Sequence, residues 1–185
     1  NTTANNNTAV GKSALNGNTT GADNTSSGKD SLGSNTTGSN NSAFGSGSLV
    51  SNTTASNNTA VGHQSLYANT TGYDSVAVGA NALDSNTTGI QNTAIGRNAM
   101  QSNTTGNNNT AVGLVAMYSN TTAHDNIAFG VNALHQNTTG TANTALGRSA
   151  LRLNTTASNN TAVGYQAGDA LTTGGLPAVG YNAGG

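Results

Sequence analysis

Glycine returns every seventeen residues along this chain, at Gly11, Gly28, Gly45, Gly62, Gly79, Gly96, Gly113, Gly130, Gly147 and Gly164. Aligned on these glycines, the 185 residues read as one unit, Asn-Thr-Ala-Val-Gly-x-x-Ala-Leu-x-x-Asn-Thr-Thr-Gly-x-x, copied without insertion. A fixed period gives every copy an equivalent place in a stacked, one-dimensional structure. Such a stack offers length and a regular surface rather than a cleft. Numbered from its first Asn, the unit has seventeen columns, each of which can be read for the residues it tolerates.

Two columns hold the large apolar side chains. The fourth is Val10, Ser27, Phe44, Val61, Val78, Ile95, Val112, Phe129, Leu146 and Val163. The ninth is Leu15, Leu32, Leu49, Leu66, Leu83, Met100, Met117, Leu134, Leu151 and finally Gly168. Both are expected to face an interior. The third and eighth columns accept almost only Ala or Ser (Ala9, Ala60, Ala94; Ala14, Ser31, Ala82), which implies close approach to another backbone or side chain. The second is mostly Thr but becomes Val76 and Ile127; the shared β-branched shape marks a half-buried strand position. Alternation along a strand puts the second and fourth columns on one face and the third on the other. The fifth-column Gly ends the strand where positive φ or tight packing excludes a Cβ. Gly or Ala in the fifteenth column marks a second corner. Columns six, seven, ten, eleven, sixteen and seventeen vary freely and carry nearly every charge, so they are expected to face solvent.

A helical reading fails. Fixed glycines, Thr-Thr pairs and Asn runs disfavour helices, and no 3.6-residue period connects the apolar columns. The expected fold is all-β: a β-solenoid, or parallel β-roll, of about ten 17-residue coils with two short strands each. At about 4.8 Å per coil it forms a rod on the order of 50 Å long. Residues 1–168 form the repeat array and residues 169–185 a divergent last repeat or cap. There Gly168 replaces the core Leu, Leu171 replaces an Asn, Pro177 is the single proline, and Gly180 follows Gly164 by 16 residues. A change of coil shape between Gly168 and Pro177, with Leu171 covering the apolar end, is expected to lead into a downstream region. The chain opens inside a repeat at Asn1-Thr2-Thr3 and stops at Gly184-Gly185, as a segment of a longer protein would.

Only 6% of residues are charged, against about 25% in an ordinary globular domain, so Asn, Thr and Ser must solvate the surface. A net charge of −1 offers no electrostatic footprint for nucleic acid or an anionic membrane. Cysteine is absent, which excludes disulfides and thiolate metal sites, and no run approaches the roughly 20 apolar residues of a membrane span. Two large apolar side chains per coil make a thin core. Self-association, as a homo-oligomer or filament, is therefore expected through the small Ala columns or the Thr/Val/Ile column.

No catalytic, cofactor-binding or metal-binding residues emerge. His63, His124 and His135 fall in different columns, whereas a stacked metal site needs ligands in the same or adjacent columns. The carboxylates (Asp23, Asp30, Asp74, Asp84, Asp125, Asp169) form no adjacent pair for acid–base work. No nucleophile elbow, phosphate loop or calcium-binding Gly-Gly-x-Gly-x-Asp repeat is present. The chain is not expected to be an enzyme.

The sharpest chemical feature is the twelfth column: Asn18, Asn35, Asn52, Asn69, Asn86, Asn103, Asn120, Asn137 and Asn154, each followed by Thr-Thr. One reading is an Asn ladder whose amides bond from coil to coil and fill a turn. The other is N-glycosylation, since Asn-x-Thr is the acceptor sequon; Asn6, Asn24, Asn40, Asn57, Asn108 and Asn159 fit it too. The ladder is favoured, because any strongly selected Asn-Thr-Thr arm creates sequons incidentally. A third reading, an ice-binding Thr surface, is disfavoured because adjacent Thr residues on a strand face opposite ways. Tyr67 and Tyr118 share the tenth column and Arg97 and Arg148 the sixth. Each pair lies three coils apart, on the order of 14 Å, too far for one small ligand.

The segments Asn58-Thr59-Ala60-Val61-Gly62, Ser75-Val76-Ala77-Val78-Gly79 and Asn92-Thr93-Ala94-Ile95-Gly96 resemble the head repeats of trimeric autotransporter adhesins of the YadA type, which carry a Ser-x-Ala-Ile-Gly core. The stretch from Asn160 to Ala167 is similar to arrays in phage tail-fibre and surface proteins. The resemblance extends from Asn7 to Gly180; the autotransporter unit is shorter and lacks the full Asn-Thr-Thr-Gly arm. It implies a trimeric, left-handed parallel β-roll on an extracellular attachment fibre, on a virion or a cell surface, engaging a cell-surface receptor or glycan. A phage tail fibre is placed ahead of a bacterial adhesin. A glycosylated extracellular filament is the alternative, and an ice-binding solenoid a lesser one.

Overall fold

The computed structural model describes residues 3–171, 173–175 and 177–184. Asn1, Thr2, Thr172, Leu176 and Gly185, on which the expectations about the two chain ends partly fall, lie outside the described residues. The chain winds as a β-solenoid of about ten coils, each contributing one three-residue strand. The strands are β1 (Thr8–Val10), β2 (Thr25–Ser27), β3 (Ser42–Phe44), β4 (Thr59–Val61), β5 (Val76–Val78), β6 (Thr93–Ile95), β7 (Thr110–Val112), β8 (Ile127–Phe129), β9 (Thr144–Leu146), β10 (Thr161–Val163) and β11 (Pro177–Val179). They form one parallel sheet in chain order. No helix occurs among the described residues.

Register follows the period. Val61 pairs with Val78 and Val78 with Ile95, so the fourth column stacks on itself. Each fifth-column glycine closes its strand with φ between 124° and 144°. At Gly62 an added Cβ would lie 2.6 Å from the carbonyl oxygen of Gly79 in the next coil. Both the torsion and the approach of neighbouring coils therefore demand glycine there.

The second half of each coil departs from the expectation of two strands. Around Thr36, the N–H groups of Thr19 and Thr20 (2.9 and 3.1 Å) and the Thr19 hydroxyl (2.8 Å) all converge on the Thr36 carbonyl. The thirteenth-column carbonyl thus accepts several donors from one neighbouring coil, and the evenly spaced ladder of a second strand does not form.

The core corrects the sequence reading on one point. The ninth column is inside: Leu32, Leu49, Leu66, Leu83, Met100, Met117, Leu134 and Leu151 are fully buried. The third column is inside with it, from Ala43 and Ala60 through Ala94 to Ala162. The fourth column, expected to face inward, faces out: Ile95 is 41%, Leu146 46% and Phe129 53% exposed. The reason is width. Each coil is a single narrow turn, and the ninth-column side chain already spans it; a Cβ placed at Gly168 would lie 3.4 Å from Ala162 Cβ across the interior. Only alanine fits opposite. Alternation then sends the neighbouring second and fourth columns outward. The Ala columns, expected to be available to another chain, are thereby used up within this one.

Seating leucine in the ninth column requires unusual backbone. Leu66 and Leu83 have φ of 51° and 52°, and the seventh and seventeenth columns are also left-handed, as at Asn98 (57°) and Asn108 (57°). Asn and Asp tolerate this region; a leucine costs about 1–2 kcal/mol there. The stacked burial of the leucine column offsets that cost.

The repeat changes at its C-terminal end. β11 pairs with β10 sixteen residues on, Thr161 opposite Pro177. Gly168 sits at the ninth-column position, and a Cβ on it would lie 2.9 Å from Leu171 Cδ1 and from Leu151 Cδ2. Leu171 therefore fills the seat that the ninth-column side chain occupies elsewhere. Pro177 loses nothing by lacking an N–H. Second-column N–H groups donate toward the following coil, as Thr59 does to the Ser75 carbonyl (2.9 Å), and that side of Pro177 faces away from β10.

Candidate functional site

Two features of the stack carry chemistry: an asparagine clamp inside and an apolar strand face outside. The clamp begins with the twelfth column. Its members are buried, and from Asn35 to Asn154 each Nδ2 donates twice. Asn86 Nδ2 reaches Asn69 Oδ1 in the preceding coil (2.9 Å) and the Gly89 carbonyl in its own coil (3.0 Å). The coil-to-coil bond repeats without a break from Asn35–Asn18 (2.7 Å) to Asn154–Asn137 (2.9 Å).

The sequence reading gave no role to the first column, which forms a second ladder. Asn41 N donates to Asn24 Oδ1 (3.0 Å) and Asn58 N to Asn41 Oδ1 (3.0 Å). First-column Nδ2 groups also donate to the fifteenth-column carbonyl. Ala55 O, for instance, accepts from Asn41 Nδ2 (2.9 Å) and Asn52 Nδ2 (3.0 Å) together. One carbonyl thus ties both ladders to the corner of every coil that has Asn in both columns. Uncharged amides suit this place because each supplies a donor pair and an acceptor without the desolvation cost of an ion. The available signal was the near-invariance of the first column within the chain, broken only by Ser75.

The geometry separates the sequons. Nδ2 atoms of the twelfth column are buried and fully committed, so a glycan there requires an unfolded coil; Asn24 is buried likewise. Asn6, Asn40, Asn57, Asn108 and Asn159 lie exposed in the seventeenth column, where Asn57 and Asn108 donate to Asp74 and Asp125 (3.0 and 3.1 Å). The Thr pairs also divide. Thirteenth-column hydroxyls bond the next coil's backbone, as Thr87 to Thr104 O (3.0 Å). The fourteenth column, including Thr88 and Thr105, stands exposed. One outward rank of threonine remains, not two.

The outer strand face presents second- and fourth-column side chains from β1 to β11. Ile127 is 48% exposed beside Phe129, and Phe44, Val61, Ile95, Leu146 and Val179 join them. No charged residue interrupts these two columns.

The remaining polar residues are dispersed. Among the described residues no group of three His, Cys, Asp or Glu side chains could hold a metal ion. His63, His124 and His135 are not brought together: His124 pairs with Asp125 (2.7 Å), and His135 stacks on Tyr118 at 5.3 Å while its Nδ1 lies 3.0 Å from the Val115 carbonyl. His124 and Asn108 hold the Asp125 carboxyl below its usual value. Burial raises the Asp84 pKa from its ordinary value, and His63 draws it partly back. Arg152 grips Asp169 with two bonds of 3.0 Å, which raises the already high guanidinium pKa further. Tyr67 and Tyr118 stay three coils apart, as do Arg97 and Arg148. No helix among the described residues is long and apolar enough to cross a membrane. No family model, curated protein or solved structure matches this chain.

Proposed function

We propose that the chain is a shaft or adhesive segment of an extracellular attachment fibre, non-enzymatic and self-associating, with a phage tail fibre ahead of a cell-surface adhesin. One observation carries the reading: an uncharged strand face, apolar in the fourth column except at Ser27 and mostly Thr in the second, that runs the length of the stack and lies open in the single chain. Contiguous apolar surface of this extent marks an interaction site. A second copy of the same stack is the natural occupant, because the face repeats at one coil spacing and so matches itself in register. Homotrimeric association buries three such faces around one axis, in keeping with the adhesin-like repeat. The sparsely charged Asn/Thr exterior and the dispersed polar side chains among the described residues favour a holding role over a chemical one.

Small-angle scattering tests this reading. Lateral association keeps the length near the ~50 Å set by the coil spacing and multiplies the cross-sectional mass by three. A single-chain cross-section contradicts the reading. The glycosylated filament is the rival, favoured by the exposed seventeenth-column sequons. For this segment, an intact mass of 18.1 kDa sides with the bare fibre, and excess mass removed by a glycosidase with the rival.

A further inference from the structure

The variable columns are not uniformly filled, and at one place they leave a notch of about 260 Å³. Its floor is the third coil, where small residues occupy the sixth and seventh columns as Ser46 and Gly47. Elsewhere the seventh column is often Asn in the same left-handed conformation, as at Asn81, Asn98 and Asn132 (φ 56–58°), and Gly47 shares it at φ 70°. With no side chain at 47, the Tyr67 ring of the next coil lies over the backbone: a Cβ built there would be 3.5 Å from Tyr67 Cδ2. Lys29 and Asp30 from the second coil and His63 and Gln64 from the fourth complete the wall. The Lys29 ammonium stands 3.6 Å from the Asp30 carboxylate, so their charges balance.

We propose that this notch binds one neutral sugar ring, stacked on Tyr67. A pyranose presents an apolar face of C–H groups and a rim of hydroxyls, each both donor and acceptor. The notch presents the complement: an aromatic face, a fixed donor at Lys29, a fixed acceptor at Asp30, and mixed groups at Gln64, His63 and Ser46. Its volume lies just below the range of drug-sized pockets, which suits a single ring. Balanced charge favours a neutral sugar over a uronate or an amino sugar. The site stands on the geometry of coils two to four alone and does not depend on the fibre reading.

Saturation-transfer NMR on the intact chain tests it, with methyl α-D-glucopyranoside, methyl α-D-galactopyranoside and methyl α-D-mannopyranoside as probes and glucuronate as the charged comparison. Transfer to the ring protons of at least one neutral glycoside is expected, with Kd on the order of 1–10 mM for so small a ligand. Gly47→Asn fills the notch with the residue the repeat uses elsewhere, its Cβ at ordinary van der Waals distance from Tyr67, and should abolish transfer while leaving the circular-dichroism spectrum unchanged. Tyr67→Ala removes the platform and should weaken binding at least tenfold. Absence of transfer from all three glycosides overturns the proposal. So does transfer from glucuronate alone, or a signal that survives both substitutions in folded protein.

Discussion

At the scale of single residues, the stack depends on side chains that satisfy two neighbours at once. Ser75 falls short in the first column: its hydroxyl accepts from Asn92 N (3.2 Å) and donates to Tyr73 O (3.3 Å), but it does not reach the Gly89 carbonyl. Only Asn86 donates its amide there. Ser75→Asn restores the missing arm of the clamp and should stabilise the chain by about 1 kcal/mol, read as a higher denaturant midpoint at unchanged slope. Asn86→Ala acts in the opposite sense, orphaning buried acceptors on Asn69 and Gly89 at a cost of about 2–3 kcal/mol. The chain holds a natural example of such an orphan. Asn154 Oδ1 is buried without a partner among the described residues, because Leu171 stands where the next ladder Asn would be. Asp84 contributes one part of the pH dependence. Its folded pKa lies above the unfolded value of 3.8, so the ionised carboxylate opposes folding at neutral pH, and that penalty fades as pH falls through the raised value. Asp84→Asn should therefore raise the melting temperature at pH 7, and the difference should shrink as pH falls toward the unfolded value. A difference independent of pH contradicts this origin.

At the scale of the element, the three-residue strand explains both what the sequence disclosed and what it hid. The period, the positive-φ glycine, the alternation of second and fourth columns against the third, and the stacking of Val61, Val78 and Ile95 were all legible, because each follows from torsion or from a period of two. The direction of that alternation was not. Val and Ile in one column and Ala in the next suggest that the larger side chains are inside, and hydrophobicity alone cannot report that the coil is only one side chain wide. Leu66 and its column fill that width, so alanine is the inward residue and valine the outward one. The first-column ladder was hidden for a related reason: an Asn beside a strand reads as a turn residue, and only the closed coil brings it within reach of a carbonyl fourteen residues on. The strand gives a direct check. Ala94→Val adds volume to the packed interior and should cost about 1–3 kcal/mol in thermal or denaturant unfolding. Ile95→Ser, one residue along and larger in chemical change, should cost the isolated single chain less, because Ile95 is already 41% exposed. The reverse ranking restores the fourth column to the core.

At the scale of the whole molecule, the coil solves its own interior and leaves one face unsolved. Alanine and leucine close each turn, the two asparagine ladders bind turn to turn, and Leu171 fills the last ninth-column seat. What remains open is the strand face, where Phe44, Val61, Ile95, Ile127, Phe129 and Leu146 meet solvent in the single chain. The laterally associated shaft proposed above would bury that face. The most direct measurement is the solution mass by light scattering, taken on the native chain and on a variant carrying Val61→Ser, Ile95→Ser and Phe129→Ser. The native chain should have three times the 18.1 kDa chain mass, and the variant should fall to a single chain while keeping its β circular-dichroism signal. A native chain that is folded and monodisperse at 18.1 kDa contradicts the account.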